Sequence, residues 1–195
     1  TEKSPYHDIA QNLGVEFTFQ PFVKVEGLEA REFRSQKVNI LDHTAIVFNS
    51  RNAIEHFFHL CKELRVTLPE DMKYFGISEK VILYIQKFVQ YRKRKVFFGS
   101  SGHWPELLTV MAKHKTEKYL FPLSEGTSLE IAGQLDQKKI KHTECAMFRT
   151  VQADLDEDTF KNYDMILIFT PVGVQSLLSN FPNFNQGDIR LGCFG

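Results

Sequence analysis

Thr44-Ala45-Ile46-Val47-Phe48-Asn49-Ser50-Arg51-Asn52-Ala53-Ile54 is the stretch that decides the fold. Residues 44–48 are apolar or β-branched throughout and read as a buried strand. Residues 49–52 are polar and contain helix N-cap residue types. Ala53, Ile54, Phe57, Phe58, Cys61 and Leu64 then recur at helical spacing. Strand, polar turn and helix in that order form the first half of a βαβ unit.

The pattern returns 120 residues later. Met165-Ile166-Leu167-Ile168-Phe169 reads as a strand, Thr170-Pro171-Val172-Gly173 as the turn, and Val174, Leu177, Leu178 and Phe181 as the helix stripe. A shift of 120 places Ser50 on Thr170, Ala53 on Gly173, Ile54 on Val174 and Phe57 on Leu177. A second echo pairs Tyr74-Phe75-Gly76 with Cys193-Phe194-Gly195 at an offset of 119. Two echoes in the same order predict two similar α/β domains. Further strands are expected at 15–19, 73–75, 96–98, 119–121 and 144–148, with helices at 5–13 and from 78 to about 90. Alternating strands and helices predict parallel sheets.

The polar stretch 24–42 and the acidic stretch 153–158 read as crossings between domains. Residues 1–22 and 152–195 are then one discontinuous domain, and residues 23–151 a second domain inserted into it. The outer domain is expected to be trimmed at both ends: the 5–13 helix follows no strand, and nothing follows the second Phe-Gly. A ligand is expected in a cleft between the domains.

The chain has 195 residues, of which 43% are hydrophobic and 25% charged, as in a globular protein. Lys plus Arg equals Asp plus Glu at 24 each, so no general field draws in nucleic acid. An anionic ligand must be held locally. Three widely spaced cysteines, Cys61, Cys145 and Cys193, do not make a disulfide framework. No apolar run reaches membrane-spanning length. The expectation is a cytoplasmic monomer with no membrane or nucleic-acid partner.

Five turns follow predicted strands, and each is expected to precede a helix. They are Asn49, Ser50, Arg51 and Asn52; Gly76 to Ser78; Gly99, Ser100 and Ser101; Ser124 to Thr127; and Thr170 to Gly173. Free N–H groups and the helix dipole favour anions at helix starts, and parallel α/β sheets gather ligands at the carboxyl ends of their strands. The competing reading is that the hydroxyls are N-caps and nothing more. Arg149 faces either the ligand or a surface ion pair. Tyr91-Arg92-Lys93-Arg94-Lys95 reads as a solvated helix end. His56, His59 and Cys61 lack a second Cys/His pair at zinc spacing, so no metal site is expected. The cysteines lie in apolar contexts that do not favour a nucleophile, and no Walker-type loop is present.

These residues also carry a resemblance. Phe48-Asn49-Ser50-Arg51-Asn52-Ala53-Ile54 resembles the Phe-Thr-Ser-Pro-Asn-Ala-Val element of uroporphyrinogen-III synthases. Phe169-Thr170-Pro171-Val172-Gly173-Val174 is similar to that family's second copy, Phe-Ser-Pro-Ser-Gly-Val. Phe121-Pro122-Leu123-Ser124 resembles its Leu-Pro-Arg-Gly or Phe-Pro-Cys-Gly turn, and Phe148-Arg149-Thr150-Val151 its Tyr-Arg-Thr-Val linker. The resemblance runs from about Val15 to Gly195. It implies two flavodoxin-like parallel-sheet domains joined by a two-stranded linker, one inserted in the other.

The resemblance further implies an enzyme of tetrapyrrole (heme) biosynthesis. Its substrate is hydroxymethylbilane, a linear tetrapyrrole with eight carboxylates. The substrate loses water, its terminal pyrrole inverts through a spiro intermediate, and the ring closes. Unaided, it closes to the wrong isomer, so the enzyme acts chiefly by orientation, with one proton donor assisting hydroxyl departure. No metal or redox cofactor is implied. Phe148 stands where the family often has Tyr, Arg51 where it has Pro and Glu79 where it has Thr, so no catalytic acid carries over. The alternative from another class is a non-catalytic two-domain module that senses a small anion.

Overall fold

The computed structural model describes residues 4–156 and 163–194. The chain divides into two compact units, Val25–Thr150 and the pair Thr1–Lys24 with Val151–Gly195. In chain order the elements are α1 (Tyr6–Leu13), β1 (Val23–Gly27), α2 (Ala30–Ser35), β2 (Ala45–Phe48), α3 (Arg51–Glu63), β3 (Lys73–Gly76) and α4 (Glu79–Ile82). They continue with β4 (Val96–Phe98), α5 (Trp104–Met111), β5 (Tyr119–Ser124), α6 (Ala132–Gln137), β6 (His142–Gln152), β7 (Met165–Ile168), α7 (Pro171–Asn180) and β8 (Arg190–Cys193).

The sheet of the 25–150 unit has the order β1-β6-β5-β2-β3-β4. From β6 to β4 every neighbouring pair is parallel. Numbering β2 to β6 as 1 to 5 in chain order, the sheet reads 3-2-1-4-5. A flavodoxin-like sheet would read 2-1-3-4-5. The flavodoxin-like expectation is therefore corrected for this unit, which is a doubly wound parallel sheet of the other common order. Sequence spacing gives strands and crossovers but not which side each crossover takes.

Alternation along the strands explains the two helix layers. Ile46, Phe48, Tyr74 and Leu120 pack with Ile54, Phe57 and Leu60 of α3 and with Ile82 after β3. Ala45, Val47, Phe75 and Phe121 point the other way, against Leu107 and Met111 of α5 and Leu135 of α6. A strand buried on both faces has no polar positions to spare, which is why β2 reads as a continuous apolar run.

The smaller unit pairs β7 and β8 in parallel. Its apolar cluster of Ile166, Ile168 and Leu177 is joined by Phe22, Val174 and Phe181. Ser176 is fully buried, and its hydroxyl donates to the Phe22 carbonyl at 2.5 Å. Asn180 accepts from the Leu155 N–H and donates to the Ala153 carbonyl, which ties α7 to the chain re-entering this unit.

Three local expectations differ from the structure. Residues 15–19 form no strand. Their alternating apolar side chains instead pack locally, Phe17 and Phe19 lying 5.7 and 6.4 Å from the Tyr6 ring. The polar stretch 24–42 holds β1, α2 and a 3-10 turn at Ile40–Asp42, each too short to raise a periodic signal. The helix expected from 78 to about 90 is four residues of α4 followed by a 3-10 turn at Leu83–Lys87. Three residues per 3-10 turn brings Ile82, Ile85 and Phe88 into one row, and all three join the same core cluster.

Cys61 and Cys145 are buried, whereas Cys193 is exposed. Burial pushes the Cys61 thiol up to about 12 and the Cys145 thiol higher still. The thiolate is the reacting species. A disulfide reagent is therefore expected to titrate Cys193 promptly in the folded protein and all three thiols once guanidinium is added. Prompt reaction of Cys61 or Cys145 would contradict this placement. Among the described residues no helix is long and apolar enough to cross a membrane.

Candidate functional site

In the 25–150 unit the parallel strands bring the carboxyl ends of β5, β2, β3 and β4 to one edge. Register places Phe48 beside Gly76, and Gly76 beside Phe98. The chain continues the ladder past the strands, with the Ile77 N–H on the Phe48 carbonyl at 2.9 Å and the Gly99 N–H on the Gly76 carbonyl at 3.1 Å. The turns after β2, β3 and β4 thus lie side by side. Crossovers leave in opposite directions on either side of the β2–β5 pair, so residues 49–52 and 124–127 flank the point where strand order reverses. That crevice is where open α/β sheets bind ligands.

The turns are not equivalent. Ser50 is the N-cap of α3, its Oγ accepting from the Ala53 N–H at 3.1 Å. Arg51 and Asn52 occupy the first helical positions, are exposed, and have no carbonyl four residues back within the helix. Their N–H groups are the donors a carboxylate requires, and Arg51 adds a charge. Its guanidinium lies 5.5 Å from the centre of the Tyr84 ring.

Ser78 caps α4 in the same way, accepting from the Val81 N–H at 3.4 Å. This first turn already carries the Glu79 carboxylate, and the helix is four residues long. Gly76 is glycine for packing reasons: a Cβ there would lie 2.4 Å from the Ile82 Cβ. At 99–101 a carboxylate from the chain itself occupies the turn. Glu106 accepts from the Ser100 hydroxyl at 2.8 Å and the Ser101 N–H at 2.5 Å, and hydrogen bonding from the Ser101 side chain, the Ser100 side chain and the Ser101 backbone holds its carboxyl below the usual range. Neither serine is a cap, because the N-cap position of α5 is His103, whose side chain makes no capping bond.

Ser124 to Thr127 does not precede a helix, which corrects that expectation. Thr127 folds back on the Ser124 carbonyl through both its N–H and its hydroxyl, and α6 begins only at Ala132. Ser124 is nonetheless at the carboxyl end of β5, paired with Phe148. Arg149 takes the ion-pair alternative. Its guanidinium bonds Glu32 and lies 3.4 Å from Glu26 and 3.3 Å from Glu125. The Arg149 hydrogen bond holds the Glu32 carboxyl below its usual range. A cavity of about 560 Å³ beside it is lined by Glu26, Glu29 and Glu32 together with Arg31 and Arg149. Its carboxylates outnumber its cations, so electrostatics disfavour it as a receptor for more carboxylates.

In the other unit Thr170 caps α7, accepting from the Gly173 N–H at 3.2 Å, so the 120-residue echo of Ser50 and Ala53 is structural as well as sequential. Pro171 follows the cap and has no N–H, which leaves this terminus one donor fewer than α3. A Cβ at Gly173 would lie 2.9 Å from Ile168 Cγ2. The second echo is displaced. Phe194 donates to the Ile168 carbonyl where Ile77 donates to the Phe48 carbonyl, so Cys193, not Gly195, occupies the position of Gly76. Gly195 itself lies outside the described residues.

One feature of this edge has no sequence signal. His56 stacks on Phe148 with ring centroids 5.4 Å apart and 20° between planes, and burial holds its imidazole below the ordinary value. A helix position and a strand position 92 residues apart meet only through packing. The exposed His59 and the buried Cys61 do not join it, and among the described residues no group of three or more His, Cys, Asp or Glu is placed to hold a metal.

The sequence profile of the uroporphyrinogen-III synthase HemD family matches residues 4–195. The chain belongs to the uroporphyrinogen-III synthase family. Solved synthase structures share the fold. A mutant enzyme from Thermus thermophilus aligns with a TM-score of 0.56 at 14% identity, over 98% of this chain and 80% of that one. The enzyme from Helicobacter pylori aligns with a TM-score of 0.53 at 12% identity, over 88% and 74%. The wild-type Thermus thermophilus enzyme gives 0.50 at 12%, over 96% and 78%. No curated protein sequence matches the chain. Membership of the uroporphyrinogen-III synthase family makes the chain a cyclising lyase of tetrapyrrole biosynthesis that acts on hydroxymethylbilane.

Proposed function

We propose that this synthase receives the carboxylates of hydroxymethylbilane at helix N-termini, foremost the turn 49–52, with the Thr170 turn serving the same purpose in the other unit. The observation that carries this reading is the pair of first-turn N–H groups of Arg51 and Asn52, which have no hydrogen-bond acceptor among the described residues and lie beside the reversal of strand order. A protein of zero net charge can hold a polycarboxylate in this way because the dipole and the free donors act locally. Orientation then does most of the catalytic work, since fixing two reacting groups replaces the entropy cost of bringing them together. Phe148 has no proton to give, and the Cys61 and Cys145 thiols are held protonated by burial.

In this reading the two units are α/β domains of similar plan, one inserted in the other and joined where the chain crosses within β1 and β6. The enzyme works as a cytoplasmic monomer. The experiment supplies freshly made hydroxymethylbilane to the protein and separates the oxidised products by isomer. Mostly type III uroporphyrin, above an enzyme-free control giving type I, is the expected result. Type I alone from folded protein would overturn the assignment of activity and favour the anion-sensing alternative.

A further inference from the structure

At the opposite, amino-terminal edge of the same sheet lies a second cavity of about 300 Å³. Lys37, Lys118, Lys141, His43 and His142 line it, with Asp42 as its one carboxylate. The cations come from three separate chain segments. Register pairs Tyr119 with His142, so Lys118 and Lys141 sit side by side at the starts of neighbouring strands, their backbones about 4.8 Å apart across the sheet. Like charges at neighbouring positions repel. The acids nearby are already engaged: Glu117 pairs with Lys73 at 2.5 Å, Asp136 lies 3.9 Å from His142 Nδ1, and Asp42 accepts from Asn39. Among the described residues none of Lys37, Lys118 and Lys141 has an ion-pair partner.

The backbone that carries the third cation is held in place. Lys37 follows α2 with a left-handed φ of 57°. The preceding Gln36 is clamped to β6 through both ends of its amide, at 2.9 Å to the Ala146 carbonyl and 2.9 Å from the Ala146 N–H. On the far wall His43 is 8% exposed, with Nδ1 fixed 3.0 Å from the Asn39 carbonyl. Three exposed ammonium groups around one small concavity, with no ion-pair partner among the described residues, give it a local positive potential that favours an anion. The volume suits a small molecule rather than a peptide.

We infer that this cavity is a binding site for a compact multivalent oxyanion such as pyrophosphate, separate from the carboxyl-end turns. Strand β5 runs from the cavity to Ser124, a distance of roughly 17 Å. Occupancy stabilises the folded chain by linkage and leaves the turns at the other edge free.

The test follows the thermal midpoint of the whole chain in inorganic pyrophosphate against sodium chloride of equal ionic strength, and the imidazole resonances by NMR. The midpoint is expected to rise by about 2–5 °C. The His43 and His142 signals should move, and both effects should vanish in Lys118→Ser/Lys141→Ser, which keeps its synthase activity. Lys37→Ser, a single change at an exposed position, carries the same test if the double variant does not fold. No rise over sodium chloride, a rise that survives the substitutions, or stationary His43 and His142 signals would each overturn the inference. None of these outcomes bears on the isomer assay.

Discussion

Ser50→Asp and Thr170→Asp are expected to leave the fold intact and to cut kcat/KM for hydroxymethylbilane by about 10- to 100-fold each, equivalent to about 1.4–2.7 kcal/mol. The two substitutions separate a cap from a ligand receptor. Asp is as good an N-cap as Ser, so the bonds to the Ala53 and Gly173 N–H groups persist. A carboxylate at a helix start also interacts favourably with the dipole, by about 0.3–1 kcal/mol, so the thermal midpoint should hold or rise. The same charge repels an incoming carboxylate, and like-charge contacts weaken binding steeply. Stability and activity should therefore move apart. The loss should appear first in KM and in the share of type III isomer, because poorly oriented substrate closes unaided to type I. If either variant keeps full activity, that turn is a cap and nothing more. Alanine would not discriminate, since it removes the cap as well as the hydroxyl.

Gly76→Val is expected to destabilise the 25–150 unit by about 2–4 kcal/mol, a fall in midpoint of roughly 6–12 °C. A Cβ at this position meets Ile82 Cβ at 2.4 Å, Cγ1 at 3.1 Å and Cα at 3.2 Å. The obstacle is the fully buried root of a side chain at the end of α4, which cannot swing aside. Ile82→Ala should not rescue the variant, because alanine keeps the Cβ that collides. Gly133→Ala is the control. It lies in α6 with nothing within 4 Å of its Cβ, and should stabilise by about 0.5–1 kcal/mol through the helix preference of alanine. Thermal unfolding of the three variants checks the set. A neutral Gly76→Val would mean that β3 and α4 do not approach as closely as described.

The two results depend on different levels of structure. Helix caps are local, so residue type and a three-residue spacing are enough to mark Ser50, Ser78 and Thr170. The glycines at 76, 99 and 173 lie in turns that the sequence marks for ligand approach, and in the structure a Cβ at each would also come within 3.0 Å of a neighbour. The turns at 99–101 and 124–127 look like helix starts because polar residues after a strand look alike. Glu106, five residues beyond Ser101, and the folding back of Thr127 decide what those turns do. Arg149 fits two readings in the sequence, and the convergence of Glu26, Glu32 and Glu125 from three parts of the unit decides between them.

The sequence by itself determined the class of fold, the strand-turn-helix repeat at 44–54 and 165–174, and the helix starts at Ser50, Ser78 and Thr170. Those properties follow from periodicity and from side chains that bond within three or four residues of themselves. Only the tertiary structure decided the strand order, the pairing of Lys118 with Lys141 at one edge and the stacking of His56 on Phe148 at the other. Each of these joins residues distant in the chain through register and packing, and no local pattern encodes which distant neighbour a side chain will meet.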